Sequence, residues 1–362
     1  MKKLLKRTGV ALLTLVMLLS MIPAKETFAA SDKQQTIALN QTYSGSTLEG
    51  EKCLYTFTTP ADGYFSVTLS ELSQNWNPTY VTVLDSNNRE VIDSTCIEDD
   101  TTGTTVSYAS RGGKTYTVVV DPLNFEGAFN VRVDFVASND WENEENDSAA
   151  QARVLSNNKA VYGTRGANDE YDYYRFSVKK NSKVKLTLGP KDVTGNSDSW
   201  SLDLIDSNNH TENISYSSSV VTTTVYLKKG TYYLRVHNLW TDEGVPYQVK
   251  YSASNLNVKK PTIKKVSIKK GKYSTYYYFN YLTMKGNKAV DGFQLQVAKK
   301  KNMKKKVLNQ TYDINNYGTV GKKKISVNER LSTNKKYYTR VRGYVYDPFG
   351  AKIYGSYSKV KK

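Results

Sequence analysis

Leu84-Asp85-Ser86-Asn87-Asn88 returns as Ile205-Asp206-Ser207-Asn208-Asn209, about 120 residues further along the chain. Other segments return at nearly the same offset. Tyr55-Thr56-Phe57 matches Tyr174-Arg175-Phe176, Gly113-Lys114-Thr115-Tyr116 matches Lys229-Gly230-Thr231-Tyr232, and the stretches around Phe129 and Tyr247 correspond. A fixed offset means that one supersecondary unit is used twice. The pattern favours two copies of one module, over residues 31–138 and 139–254, rather than one large sandwich. Within them Tyr, Val and Thr alternate with polar residues, as in Tyr116-Thr117-Val118-Val119-Val120 and Tyr232-Tyr233-Leu234-Arg235-Val236. Gly, Asn, Asp and Ser interrupt the alternation every eight to twelve residues. Period-two patterning bounded by turn formers predicts strands. No long amphipathic helix stands out; Ser148-Ala149-Ala150-Gln151-Ala152 is the best candidate for a helical turn, capped by Asp147 or Ser148. The expected fold class is therefore all-β, with tandem jelly-roll-like β-sandwich modules and a further sandwich after them.

A length of 362 residues suits two or three domains after a leader is removed. Lys2, Lys3, Lys6 and Arg7 precede an apolar run from Val10 to Ile22, and Phe28-Ala29-Ala30 offers small residues for cleavage. The run is short for a membrane span, so residues 1–30 read as an export signal peptide. No later segment predicts a transmembrane anchor, no cysteine near the cleavage point suits lipidation, and Ser358-Lys359-Val360-Lys361-Lys362 is not a wall-sorting signal. The chain is expected outside the cell, free or held non-covalently at the wall.

Charge divides the chain. From residue 257 onward 27 Lys and Arg stand against 4 Asp and Glu, whereas residues 31–256 carry 19 basic and 29 acidic side chains. On an exported protein the basic end points to cell-wall polyanions, not nucleic acid. Abundant lysine also keeps a β-domain soluble and its edges unpaired, and that reading stands beside the first. The two cysteines, Cys53 and Cys96, either form a disulfide closing about 43 residues or remain buried thiols.

The acidic charge is concentrated. Trp141-Glu142-Asn143-Glu144-Glu145-Asn146-Asp147 and Asp169-Glu170-Tyr171-Asp172 place seven carboxylates in two clusters about two dozen residues apart. Such clusters repel unless each is solvated separately or they share a cation. Oxygen donors without Cys or His suit a hard ion such as calcium. The alternative is a solvated acidic linker with Asp147 capping a turn.

The second copy resembles the bacterial pre-peptidase C-terminal domain, which shares its fold with the collagen-binding domains of clostridial collagenases. The resemblance rests on Glu144-Glu145-Asn146-Asp147, Asp172-Tyr173-Tyr174-Arg175-Phe176, Leu202-Asp203-Leu204-Ile205-Asp206, Gly230-Thr231-Tyr232-Tyr233-Leu234-Arg235-Val236, and Gly244 with Tyr247. Calcium-binding members take ligands from a Glu-x-Glu-x-Asn-Asp segment and an Asp-x-x-Asp segment. The resemblance thus implies Glu142, Glu144, Asn146, Asp147, Asp169 and Asp172 as metal ligands here, with Glu145 and Glu170 left in water. The first copy departs from the pattern: Ser31-Asp32-Lys33-Gln34-Gln35 lacks glutamates, and Glu49-Gly50-Glu51-Lys52-Cys53 replaces Asp-x-x-Asp. It is expected to keep the fold without the metal, with a Cys53–Cys96 link as a substitute brace.

Residues 259–362 resemble a lysine-rich fibronectin type III-like domain of exported Gram-positive proteins. Leu331, six residues before Tyr337, and the strand Tyr338-Thr339-Arg340-Val341-Arg342-Gly343-Tyr344 match its tyrosine corner, while Gly292-Phe293-Gln294-Leu295-Gln296-Val297-Ala298 matches its third strand. The usual second-strand tryptophan is absent, and an aromatic from Tyr276 to Tyr281 is expected in its place.

Recognised catalytic motifs are missing. His210 and His237 are the only histidines, and the chain has no Gly-x-Ser-x-Gly elbow and no phosphate-cradling glycine loop. Exposed aromatics remain as a lead, because Tyr and Trp on a sandwich can grip collagen, peptide or glycan. Tyr232 and Tyr233 face opposite sides of one strand, so one is expected in the core and the other outside, where it would bind ligand. Trp76, Trp200 and Trp240 lie in polar, loop-like segments. The function expected is that of a secreted, non-catalytic binding protein of a Gram-positive-type envelope or extracellular matrix. Its partners would be an extracellular protein or glycan, collagen-like under the resemblance. The alternative is an accessory or inhibitory partner of a secreted protease or other hydrolase.

Overall fold

Alternating β-branched and aromatic side chains form strands along most of the described chain. The computed structural model describes residues 32–48, 50–70, 79–97, 104–123, 126–167, 169–191, 199–238, 245–270, 277–285, 290–314, 324–325 and 336–362. The proposed signal peptide, Trp76, Trp240, Gly244, Tyr276 and Leu331 lie outside these residues, as do the side chains of 277–285. Among the described residues there is no helix; the expected helical turn is a tight turn in which the Gln151 N–H donates to the Ser148 carbonyl at 3.0 Å. No helix among them is long and apolar enough to cross a membrane.

The first copy contributes β1 (Lys33–Thr36), β2 (Thr42–Thr47), β3 (Cys53–Thr58), β4 (Gly63–Ser70), β5 (Thr79–Asp85), β6 (Glu90–Ile97), β7 (Thr104–Ser110), β8 (Thr115–Asp121) and β9 (Gly127–Ala137). The second contributes β10 (Arg153–Val154), β11 (Ala160–Thr164), β12 (Asp172–Val178), β13 (Ser182–Pro190), β14 (Trp200–Ile205), β15 (Thr211–Ser217), β16 (Val221–Leu227), β17 (Gly230–Asn238) and β18 (Pro246–Asn255). Sheet orders are β1-β3-β8-β5-β6 with β2-β9-β4-β7, and β10-β12-β17-β14-β15 with β11-β18-β13-β16. Raising every strand number of the first pair by nine gives the second pair. The repeated Asp-Ser-Asn-Asn motif is the hairpin turn of both copies. Asp85 accepts the N–H groups of Asn87 at 2.7 Å and Arg89 at 3.0 Å, and Asp206 accepts those of Asn208 at 2.8 Å and His210 at 2.9 Å. Asn88 and Asn209 take φ near +60°, a region asparagine tolerates better than most residues.

Alternation buries one face of each strand. In the first copy Phe57 on β3 meets Phe65 on β4 edge-on at 5.0 Å, joining the two sheets. In the second, Tyr174, Phe176, Leu202, Leu204, Leu234 and Val236 of one sheet pack with Leu186, Leu188, Tyr247 and Val249 of the other. Trp200 belongs to this core and not to a loop; it begins β14 and packs against Tyr247 at 4.6 Å.

The disulfide is not formed. Cys53 is a buried free thiol, and the pairing register explains why. Cys53 lies opposite Val120, Val120 opposite Val81, and Val81 opposite Thr95, the neighbour of Cys96. Three strand spacings separate the cysteine backbones by about 14 Å, more than twice what a disulfide spans.

The remaining strands are β19 (Thr262–Lys270), β20 (Tyr277–Lys285), β21 (Gly292–Ala298), β22 (Lys306–Asp313), β23 (Lys324–Ile325), β24 (Tyr338–Tyr346) and β25 (Lys352–Tyr354). Their orders, β19-β20-β23 and β22-β21-β24-β25, have the three-plus-four arrangement of an immunoglobulin-like sandwich. Its core holds Phe293, Leu295, Val297, Tyr337, Val341 and Val345. By contacts the chain divides into two compact units: Met1–Ala61 with Phe65–Ser107 and Gly112–Ala137, and Asp62–Tyr64 with Tyr108–Arg111 and Ser138–Lys362.

Candidate metal centre

The segment leading into the second copy runs beside β11. Trp141 bridges Tyr162 in parallel, and the Glu142 N–H donates to the Tyr162 carbonyl at 2.8 Å. This pairing tucks the Glu142 carboxylate against Gly163, where a Cβ would lie 2.5 Å from either oxygen. Only glycine leaves that room. The fully buried carboxylate accepts from the Thr164 N–H at 2.5 Å, Asn146 Nδ2 at 3.2 Å, the Tyr247 hydroxyl at 3.0 Å and the Tyr174 hydroxyl. Further along, the Asn146 carbonyl accepts the Tyr173 N–H at 2.9 Å, fastening the segment to β12. Strand alternation then turns Asp172 inward, on the same face as Tyr174 and Phe176. Asp172 accepts from the Tyr247 hydroxyl at 2.7 Å.

All six expected ligands converge here. One oxygen each from Glu142, Glu144 and Asp172 lie within 4.8 Å of one another, and so do oxygens of Glu144, Asp147 and Asp169, with Glu144 common to both groups. Glu142, Glu144, Asn146 and Asp172 are buried and Asp147 is exposed. Glu145 and Glu170 are exposed. Five buried acceptor atoms have no hydrogen-bond partner: Glu144 Oε1, Asn146 Oδ1, both oxygens of Asp169, and Asp172 Oδ1.

A deficit of positive charge follows from the proton count. The Tyr247 hydroxyl carries one proton yet lies within hydrogen-bond distance of Glu142, Asp172 and the Tyr174 hydroxyl, at 3.0, 2.7 and 2.5 Å. Two phenol protons cannot serve every contact of this network. Carboxylates less than 5 Å apart repel by about 3 kcal/mol per pair even at an effective dielectric near 20. Without a cation the cluster must take up protons instead. Burial, reinforced by neighbouring carboxylates, pushes Glu144 and Asp172 well above the usual carboxylate range; burial lifts Glu142 to about 7 against the hydrogen bonds it accepts. Burial also raises Asp169. An all-oxygen set with buried acceptors that lack partners fits a hard cation of the calcium kind, which takes six to eight oxygens.

Residues 170–238 match the model of the bacterial pre-peptidase C-terminal domain. That stretch holds Asp172, Tyr174 and the central strands of the second sandwich, while Glu142, Glu144, Asn146, Asp147 and Asp169 precede it. Solved structures resemble the chain only loosely. The pre-peptidase C-terminal domain of a Bacillus anthracis collagenase is 18% identical over 28% of this chain and 94% of its own, with a TM-score of 0.24. A periplasmic inhibitor of g-type lysozyme from Salmonella Typhimurium is 17% identical over 29% of this chain and 100% of its own, with a TM-score of 0.20. The FN1–FN3 domains of chicken CNTN1 are 12% identical over 88% of this chain and 96% of their own, with a TM-score of 0.22.

Within the pre-peptidase C-terminal match, Tyr232 is not a surface binder. It is buried, stacked on Phe176 at 5.8 Å, with its hydroxyl donating to the Lys228 carbonyl at 3.0 Å. Tyr233 is half-buried on the outer face. The motif reading missed Gly163, Thr164, Tyr174 and Tyr247, the residues that hold Glu142. The repeat carried a signal for three of them. Gly45, Tyr55 and Phe129 stand where Gly163, Tyr174 and Tyr247 stand, and a Cβ on Gly45 would meet the Tyr55 hydroxyl at 2.3 Å and the Phe129 ring at 2.6 Å. The first copy thus fills with aromatic rings the space that the second gives to Glu142, and Cys53 replaces Asp172.

Gly163→Ala tests the cradle. The added methyl would displace the Glu142 carboxylate from four donors, so we expect a loss of about 2–3 kcal/mol in chemical denaturation, the usual cost of overpacking with broken hydrogen bonds. A change under about 0.5 kcal/mol, ordinary for a surface site, would mean that Glu142 is not held this way.

Proposed function

We propose that the chain is a secreted, non-catalytic binding protein whose second sandwich is braced by calcium. One observation carries this reading: Glu144, Asp169 and Asp172, which belong to two carboxylate groups sharing Glu144, have buried oxygens without partners, as does neighbouring Asn146. Glu142, Glu144, Asn146, Asp147, Asp169 and Asp172 would hold the ion. Bound calcium would neutralise the cluster and tie the lead-in segment to β12 and the turn before it, fixing the direction in which the second copy leaves its linker. Its role would be structural.

The non-catalytic reading has further support in the outer face of β14 and β17. Ser201, Asp203 and His237 lie near one another there, but Arg235 occupies Asp203 through two donors at 3.0 and 2.6 Å, and Asn213 donates to Ser201 at 2.7 Å. The pre-peptidase C-terminal match supports an extracellular, protease-associated setting and favours a second reading, an accessory partner of a secreted hydrolase, which specific co-purification with one would support. In the first reading the partner is an extracellular protein or glycan, collagen-like by resemblance, with cell-wall polyanions meeting the basic end.

Calorimetric titration of the full chain at neutral pH tests the brace. We expect saturable calcium binding in the millimolar range or tighter, with magnesium weaker because it demands a smaller, octahedral shell. Absence of binding at millimolar calcium would remove the brace from this reading.

A further inference from the structure

On the outer face of the β22-β21-β24-β25 sheet, arginines are stacked and pinned but not neutralised. Arg340 and Arg342 stand two residues apart on β24 and project from one face about 7 Å apart. Register places Arg340 opposite Gln296 and Arg342 opposite Gln294 on β21, and Gln296 and Gln294 opposite Asn309 and Thr311 on β22. Arg340 Nε donates to Gln296 Oε1 at 2.8 Å and Arg342 Nε donates to Gln294 Oε1 at 2.6 Å. Both glutamine amides donate to Asn309 Oδ1 at 2.9 Å, and the Tyr357 hydroxyl donates to Gln294 Oε1 at 2.8 Å. The Arg340 guanidinium lies over Tyr357 at 4.0 Å, and Arg342 lies over Tyr354 at 3.8 Å and Tyr357 at 4.5 Å. Lys352 extends the row, its Nζ reaching Thr311 at 3.1 Å. Among the described residues no carboxylate pairs with either arginine. The nearby acid is Asp313, which accepts from Tyr344 and Tyr346 at the end of the row.

An arginine kept only for packing needs no second, parallel copy whose charge faces neutral amides. Here each Nε is used to fix orientation, and among the described residues no carboxylate takes up the remaining fork of either half-buried guanidinium. Such a fork suits the two oxygens of a phosphate. We propose that Arg340, Arg342 and Lys352 form a binding site for a phosphodiester-linked polyol polymer, with successive phosphates on successive arginines. This deepens the wall-polyanion part of the function proposed above and rests on it. Single-stranded nucleic acid is the less suitable occupant, because guanidinium groups already cover faces of Tyr354 and Tyr357 on which bases would stack.

The test uses the full chain and a purified polyglycerol phosphate, at several salt concentrations. Arg340→Gln/Arg342→Gln should weaken binding by roughly tenfold or more, the effect expected for lost charge-assisted hydrogen bonds. Arg340→Lys/Arg342→Lys keeps the charge without the fork and should recover only part of it. Lys299→Gln/Lys301→Gln, on exposed lysines of the turn after β21, should stay within about threefold of the parent. The polymer should also protect Arg340 and Arg342 of the unmutated chain from a dicarbonyl reagent, a readout independent of how any variant folds. Equal losses in the arginine and lysine variants, full recovery by lysine, or no protection would overturn the site while leaving wall affinity standing. No binding by the parent would overturn both. Tighter binding of single-stranded DNA or a sulfated glycan would overturn the choice of polymer.

Discussion

Stripped of divalent cations, the protein should lose stability as the pH rises from about 4.5 to about 7, and calcium should reverse that trend. The sign comes from the raised carboxylates. An unfolded glutamate gives up its proton near pH 4.5, whereas folded Glu142 keeps it to about 7, and burial beside other carboxylates also holds Glu144 and Asp172 well above the usual carboxylate range. Within that window the folded state binds more protons than the unfolded state, so stability falls with pH. It is fully present below the unfolded value and lost through the folded one. Glu142 alone corresponds to about 3 kcal/mol at roughly 1.4 kcal/mol for each pH unit. Calcium competes with the same protons, so its contribution should grow as the pH rises. At a hundred times its dissociation constant it would add about 2.7 kcal/mol, or several degrees in midpoint. Thermal unfolding between pH 5 and 8, with chelator and with calcium, reads both slopes. A chelated midpoint that is flat or climbs across this window would contradict the buried, cation-seeking cluster.

Much of this was legible in the sequence. The all-β class followed from period-two alternation, and the pre-peptidase C-terminal resemblance followed from Asp172-Tyr173-Tyr174-Arg175-Phe176 and Gly230-Thr231-Tyr232-Tyr233. Both rest on local patterns, which strands express directly. What depended on register was not legible. Cys53 and Cys96 are an ordinary pair until strand order puts β8 and β5 between β3 and β6. Trp200 sits beside polar residues in the sequence, but β14 is flanked on both sides in its sheet and every residue of it is buried. Tyr232 and Tyr233 could be given opposite faces but not told which was which; pairing with the core set that. The carboxylates could be counted in advance, whereas the cradle that buries Glu142 could not, because it depends on Gly163, Tyr174 and Tyr247 arriving from three different strands.

Glu144→Gln should act in opposite directions on the two states of the second sandwich. Glu144 is the carboxylate common to both oxygen groups, it is buried, and its Oε1 has no partner. Burial and the charges of Glu142, Asp169 and Asp147 all oppose its ionisation. Without a cation, the amide removes that repulsion at similar volume, so the chelated protein at pH 8 should gain about 1–3 kcal/mol. With calcium, the same change deletes an anionic ligand from both groups, and the calcium-induced rise in midpoint should fall to a small fraction of the parent's. Glu170→Gln, on the exposed neighbour of Asp169, should leave both quantities within about 0.5 kcal/mol. A purely structural glutamate, needed for a hydrogen bond inside the fold, would behave otherwise: its replacement would weaken the chelated protein and leave the calcium response intact. The two signs, measured on one variant, therefore separate a ligand from a packing residue without any knowledge of what the protein binds.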